Sequence, residues 1–98
     1  MAKFARVTFG EGDPAQIDEG IANLNETVIP QARELPGFQS GYWLADRATG
    51  KILVVVVYDS EEHLRQTDEV AAQLRQQAGS PFGVNFTGVE TYEVIGQA

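Results

Sequence analysis

The first third of the chain changes from alternating apolar positions to apolar positions at helical spacing. The segment from Phe4 to Phe9 alternates between two sets of side chains, which are Ala5, Val7 and Phe9 on one face and Phe4, Arg6 and Thr8 on the other. This alternation predicts a strand. Asp13 and Pro14 are typical first residues of a helix. The apolar positions that follow, Ile17, Ile21, Leu24 and Val28, recur on one helical face. Pro30 predicts either a kink in this helix or the start of a short second piece that carries Ala32 and Leu35.

The middle of the chain predicts a β-hairpin with strands over Phe38 to Asp46 and Lys51 to Tyr58. If Asp46 lies opposite Lys51, one face carries Tyr42, Leu44, Leu53, Val55 and Val57, and the other carries Trp43, Ala45, Ile52, Val54 and Tyr58. The segment from Ile52 to Tyr58 has no polar position on alternate residues, so both faces of this strand must be covered. One helical layer covers one face, and we expect a second copy of the chain to cover the other.

The last third of the chain predicts a second helix and a fourth strand. Ser60 or Asp59 is expected to cap a helix that runs to Gly79-Ser80-Pro81. An irregular loop from Phe82 to Gly88 and a strand from Val89 to Ile95 follow. The order β-α-β-β-α-β is that of the ferredoxin-like α+β fold, with a four-stranded antiparallel sheet and both helices on one face. Residues 1–98 are therefore interpreted as a single domain.

Charge and composition narrow the classes of partner and cofactor. Fourteen acidic and seven basic side chains give a formal charge of −7, which repels nucleic acid and anionic membrane surfaces. The absence of cysteine removes disulfides and thiolate sites, and one histidine cannot supply a closed metal site, so no metal and no cofactor are expected. The sequence shows neither a signal-peptide pattern nor a membrane-spanning run, which favours a cytoplasmic protein.

Five short segments of the chain are informative together: Phe4-Ala5-Arg6-Val7-Thr8, Asp18-Glu19-Gly20-Ile21, Leu35-Pro36-Gly37-Phe38, Asp46-Arg47-Ala48-Thr49-Gly50-Lys51 and Asp59-Ser60-Glu61-Glu62. Their combination resembles the antibiotic biosynthesis monooxygenase superfamily of dimeric α/β barrel proteins. The resemblance implies a homodimer with two sheets packed face to face and a pocket in each subunit between sheet and helices. It also implies a cofactor-independent monooxygenase that oxidises a phenol, anthrone or quinol-type substrate with dioxygen. The alternative is a non-catalytic small-molecule-binding or structural protein with the same fold.

The sequence departs from the family pattern in ways that bear on haem. Tyr58 stands where members often have tryptophan, and the asparagine that some members carry on the first strand is absent. A haem site would need an axial ligand, and His63, the sole histidine, is predicted in the first turn of a helix, where the helix dipole disfavours its charged form. Haem degradation is therefore disfavoured.

Seven residues are candidates for a site that binds a small aromatic molecule. Tyr58 and His63 are the candidate catalytic residues: Tyr58 could hydrogen-bond a phenolic ligand, and His63 could act as a general base. The candidate substrate-binding residues are Trp43, Tyr92, Phe82, Phe86 and Arg47. Five of them also have a structural interpretation, which is core packing for Trp43, Tyr58 and Tyr92, helix capping for His63, and hairpin formation for Arg47.

Overall fold

The computed structural model describes residues 2–79 and 82–98, so Ser80 and Pro81 of the predicted helix stop lie outside the described residues. The strands are β1 (Phe4–Glu11), β2 (Phe38–Ala45), β3 (Lys51–Tyr58) and β4 (Asn85–Glu93). The helices are α1 (Ile17–Asn23), α2 (Ile29–Arg33), α3 (Glu61–Gln66) and α4 (Asp68–Gly79). The four strands form one antiparallel sheet in the order β2-β3-β1-β4, which confirms the ferredoxin-like fold.

The predicted hairpin register is confirmed. Leu44 pairs with Leu53, and Trp43 pairs with Val54. The turn is closed by Asp46, whose carboxylate accepts hydrogen bonds from the backbone of Ala48 and Thr49, and these bonds lower the pKa of Asp46. The register places Trp43, Val54 and Tyr58 on the face covered by the helices and leaves Tyr42 and Leu44 on the bare face.

The helices differ in detail from the sequence prediction. A 3-10 turn (Pro14–Gln16), capped by the Asp13 carboxylate, leads into α1. A π-helical segment (Leu24–Val28) joins α1 to α2, so the irregularity precedes Pro30, which is the second residue of α2, a short second piece that carries Ala32. The second predicted helix is two helices, because the chain breaks at Thr67, whose hydroxyl donates to the carbonyl of Leu64. Ser60 caps α3 by accepting from the backbone N–H of His63.

The fourth strand begins earlier than predicted. It starts at Asn85 rather than Val89, because β1 extends to Glu11 and pairs with these additional residues of β4. It ends at Glu93 rather than Ile95. The pairing shifts between Phe9 and Gly10, which leaves Thr87 as an extra residue between the pairs Phe9–Gly88 and Gly10–Phe86. This bulge lets Phe86 return to the helix-covered face.

The core lies between the sheet and the helices in two adjoining clusters. One contains Val28, Ala32 and Leu74, and the other contains Val56, Tyr58 and Leu64. Trp43, Leu35 and Phe38 pack against both clusters and connect them. Among the described residues, no helix is long and apolar enough to cross a membrane.

Candidate functional site

An inner cavity of about 60 Å³ lies between the sheet and the helices. Its wall is mostly apolar and consists of Val28, Ala32, Leu35, Trp43, Val54, Val56, Ala71, Leu74, Ala78 and Phe86. Four polar side chains complete it, namely Arg6, Thr8, Tyr58 and Arg75. An apolar space with a few converging polar groups is the usual form of a small-molecule site.

Arg6 is a buried cation whose two terminal nitrogens both have hydrogen-bond partners. Its side chain is 5% exposed, and Nη2 donates to Asp68 Oδ1 at 2.5 Å, to the Leu64 carbonyl at 2.8 Å and to Thr67 Oγ1 at 3.1 Å. A buried charge is stable only when it is paired and hydrogen-bonded in this way. The network attaches the break between α3 and α4 to the middle of β1.

The other terminal nitrogen of Arg6 orients Tyr58. Arg6 Nη1 donates to the Tyr58 hydroxyl at 2.9 Å, and the guanidinium carbon lies 5.3 Å from the centre of the tyrosine ring. Tyr58 is 1% exposed, so ring and hydroxyl are both fixed by packing. Because the hydroxyl oxygen accepts from Arg6, its own hydrogen is directed away from the guanidinium.

Arg75 adds a second cation to the inner cavity. Burial lowers the pKa of Arg75, and the positive charge of Arg6 lowers it further, while Asp68 and Tyr58 act in the opposite direction. The Asp68 carboxylate, which pairs with Arg6, is 62% exposed and only partly balances the two cations. In a chain with net charge −7, this cavity therefore concentrates positive charge next to an apolar wall.

An outer cavity of about 260 Å³ adjoins the inner one. The two share Trp43, Val54, Ala78 and Phe86. The outer cavity extends along α1 and the hairpin, where its apolar lining includes Ile17, Ile21, Leu24, Ala45, Ile52, Phe82 and Val84. Leu44 of the edge strand β2 also contributes to the lining, although its register places it on the bare face. Arg47, from the hairpin, also lines it and pairs with Asp18 of α1 across 3.1 Å.

The structure brings five of the seven predicted site residues to these cavities. Trp43 and Phe86 line both, and Tyr58 lines the inner one. Phe82 and Arg47 line the outer one. A flat ring in the outer cavity would therefore contact Trp43 and the two phenylalanines, with the inner polar groups beyond its edge.

His63 and Tyr92 lie elsewhere. His63 Nδ1 is 2.6 Å from Asp59 Oδ1 in the first turn of α3, and His63 lines neither cavity. Tyr92 lies opposite Ala5 on the bare face of the sheet, is 50% exposed and contacts the Glu90 carboxylate. Both side chains are outside the region where the other candidates meet.

Three polar residues of the inner cavity were not among the sequence candidates: Arg6, Thr8 and Arg75. Arg6 and Thr8 share the β1 face that meets the helices, and both are buried. The alternation along β1 does not assign this face to the core, so it gave no signal for Arg6. For Arg75 the signal was its place directly after the core residue Leu74 on α4.

Comparison with known proteins gives relatives of undetermined function. No family model matches the sequence. The uncharacterized protein Rv2558 of Mycobacterium tuberculosis is 30% identical over 79 residues, which are 81% of this chain and 34% of that protein. The chain thus spans about a third of the length of the curated relatives it matches.

Solved structures identify the fold. A monooxygenase from the ActVA-Orf6 gene of Streptomyces coelicolor, in complex with nanaomycin D, has a TM-score of 0.70 at 22% identity, covering 99% of this chain and 89% of its own. A putative antibiotic biosynthesis monooxygenase of Chloroflexus aurantiacus has a TM-score of 0.67 at 22% identity, covering 98% and 96%. The chain has the fold of the antibiotic biosynthesis monooxygenases. The resemblance of the sequence to that superfamily is thus confirmed at the level of the fold.

The same fold also occurs in a protein that binds haem. The heme-degrader MhuD of Mycobacterium tuberculosis, with two hemes in its active site, has a TM-score of 0.74 at 14% identity and covers 97% of this chain and 98% of its own. The cavities described here do not fit haem. No histidine, cysteine or methionine is among their lining residues, and the Tyr58 oxygen is occupied by Arg6. Nor does the described part of the chain contain a cluster of three or more side chains able to hold a metal ion.

Proposed function

We propose that this protein binds a flat phenolic, anthrone or quinol-type molecule between sheet and helices and oxidises it with dioxygen without a cofactor. The observation that carries the proposal is the inner cavity, where Tyr58 and Arg75 are set in an apolar wall that includes Trp43. The ring system would lie against Trp43, Phe82 and Phe86 in the outer cavity. Its oxygen-bearing edge would point to the inner cavity.

The chemistry needs little from the protein, because the substrate supplies the electrons. Deprotonation of an anthrone-type CH₂ group gives a carbanion whose negative charge is shared with the oxygen of the carbonyl group on the same ring. Transfer of electrons to dioxygen forms a C–O bond and a peroxide, and loss of water leaves a C=O group. The four electrons lost by carbon reduce one oxygen atom to the new carbonyl and the other to water. Arg75 and the Tyr58 hydroxyl would stabilise the oxyanion, and the apolar wall would exclude water.

The binding-only alternative is favoured by one observation. The titratable side chains that line the inner cavity are Arg6, Tyr58 and Arg75, so the described residues there include no carboxylate or imidazole to act as a base. In the outer cavity the described lining includes one carboxylate, Asp13, which accepts from the backbone N–H of Ala15. An enzyme that does not use Asp13 as a base must therefore act on substrates acidic enough to ionise with little help. A protein that only binds aromatic molecules has no such requirement.

Dioxygen uptake decides between the two. Purified protein without added cofactor is mixed with a panel of dihydroquinones and anthrones, and uptake above the spontaneous rate supports the monooxygenase. Tyr58→Phe should lower the rate and His63→Ala should change it less, since His63 lies outside both cavities. Tyr42→Phe is the matched control, because it removes the same hydroxyl from a side chain that is 65% exposed on the bare face. Ligand-induced changes in Trp43 fluorescence without uptake would favour the binding-only function.

We further propose that the bare face of the sheet pairs with a second copy of the chain to form a homodimer. Tyr42 is 65%, Leu44 47% and Tyr92 50% exposed on this face, beside the apolar residues Val7, Leu53, Val55 and Val57. A contiguous apolar surface on one side of a sheet is typical of an interface. Light scattering at micromolar concentration tests the assembly, and a monomer would contradict it.

A further inference from the structure

The Tyr58 hydroxyl has one filled and one open hydrogen-bonding position. Its oxygen accepts from Arg6 Nη1 at 2.9 Å, and no described residue accepts a hydrogen bond from it. The side chain is 1% exposed and lines the inner cavity. A buried hydroxyl normally donates to some acceptor, since an unsatisfied donor away from water is costly. Since no described residue fills this role, an acceptor for the hydrogen would have to lie in the inner cavity.

Arg6 cannot fill the acceptor position, because a guanidinium has donors and no acceptor. It also cannot turn away from Tyr58, since its Nη2 is held by Leu64, Thr67 and Asp68 and its guanidinium packs over the tyrosine ring. Arg6 therefore already supplies a donor to the Tyr58 oxygen and disfavours the arrangement in which Tyr58 would accept from a ligand. It leaves the arrangement in which Tyr58 donates to a ligand.

We propose that Arg6 is a positioning residue that makes the Tyr58 hydroxyl the hydrogen-bond donor to a carbonyl oxygen of the ligand. The ligand is thus an aromatic ketone or quinone-like ring system whose rings occupy the outer cavity and whose carbonyl reaches the inner one. The residues shared by both cavities, including Trp43 and Phe86, contact the ring between these two ends. This inference rests on the proposed binding of aromatic molecules but not on the proposed oxidation.

A matched pair of probes tests it. 1-Tetralone and tetralin have nearly the same shape and differ by one carbonyl group. The chain contains one tryptophan, so the indole N–H of Trp43 gives a single NMR signal from which both dissociation constants are obtained. Wild-type protein should prefer tetralone by about tenfold, as expected for one buried hydrogen bond. Tyr58→Phe should abolish the preference for tetralone, because its carbonyl would then be buried without a donor.

Variants of Arg6 separate positioning from a general structural effect. Arg6→Met should reduce the preference for tetralone several-fold when Tyr58 is present and should leave it unchanged in the Tyr58→Phe background. Arg6→Lys, which retains a donor, should restore part of the preference. An equal loss in both backgrounds would overturn the positioning role, because Arg6 would then act without the hydroxyl.

The infrared carbonyl band of bound tetralone gives a second test, which remains possible even if the Arg6 variants do not fold. In wild-type protein the band should shift to lower frequency than in an apolar solvent, and Tyr58→Phe should remove the shift. Equal binding of both probes with no shift would overturn the inference while leaving aromatic binding intact. Failure of both probes to bind would count against the inference and the proposed function together.

Discussion

Arg6 Nη1 donates to the Tyr58 hydroxyl across 2.9 Å, and this contact joins β1 to β3 inside the helix-covered side of the sheet. Both side chains face the same cavity because Arg6 pairs with Val56 and Tyr58 lies two residues further along β3. The same guanidinium also holds the start of α4 through Asp68. The pair therefore belongs to the core and to the candidate site at once.

Arg75→Gln should weaken the binding of an anionic ligand more than that of a neutral one. Arg75 lines the inner cavity, where burial and Arg6 lower its pKa, so an added negative charge would be favourable there. Loss of a charged hydrogen-bond donor should cost a phenolate about tenfold or more in affinity. The measurement is the dissociation constant of a nitrophenol at pH 9, where it is a phenolate, and at pH 5, where it is neutral.

The matched control for this variant is Arg65→Gln. Arg65 is 71% exposed on α3 and pairs with Glu61, so the substitution makes the same change in net charge outside the cavity. If both variants weaken phenolate binding equally, the effect is long-range and Arg75 does not contact the ligand.

The sheet could be predicted from the sequence, whereas the polar part of the site could not. The alternation of side chains along each strand defines its two faces, and the turn at Asp46 fixes the hairpin register. Together they placed Trp43 and Tyr58 on the same face of the sheet. The partners of Arg6 lie more than fifty residues away, and no local pattern specifies them. The break at Thr67 was missed for the same reason, because Arg6 stabilises it from another element.

Val55→Asp should convert the proposed dimer to a monomer. Val55 lies at the middle of the bare face, between Val7 of β1 and Tyr42 of β2. An unpaired carboxylate buried in an interface costs roughly 3 kcal/mol or more, which exceeds what a modest interface tolerates. Sedimentation or light scattering at micromolar concentration measures the result. Val70→Asp is the control, since Val70 lies on α4 and is 41% exposed. If Val55→Asp remains a dimer, the interface lies on another surface.

Gly37→Ala should destabilise the fold by about 1–3 kcal/mol. Gly37 has φ of +75°, and an added Cβ would lie 2.5 Å from Asp59 Oδ1 and 2.6 Å from the His63 ring. Both the backbone conformation and the steric contact therefore exclude a side chain. Urea unfolding measures the free energy of unfolding, and Gly96→Ala is the control because a Cβ there meets no atom within 4 Å. Equal stability of the two variants would show that the turn before β2 can rearrange.

Asp59→Asn should reduce stability near neutral pH and have progressively less effect in acid. Asp59 Oδ1 lies 2.6 Å from His63 Nδ1, and this hydrogen bond is the main cause that lowers the pKa of Asp59 in the folded protein. A carboxyl whose pKa is lower in the folded than in the unfolded state stabilises the fold fully above the unfolded value, which is about 3.9. That contribution is lost as the pH falls through the folded value.

The thermal midpoints of wild type and Asp59→Asn should therefore differ most above the unfolded pKa and converge as the pH falls through the lower, folded value. Asp18→Asn is the control, since the Asp18 carboxylate also has a side-chain partner, Arg47, but is 83% exposed on α1. The Asp59 backbone N–H donates to the Gly37 carbonyl at 2.8 Å, and this bond remains in the variant because it does not involve the carboxylate. A difference that stays constant from pH 6 to pH 2 would mean that Asp59 stabilises the turn through its shape rather than its charge.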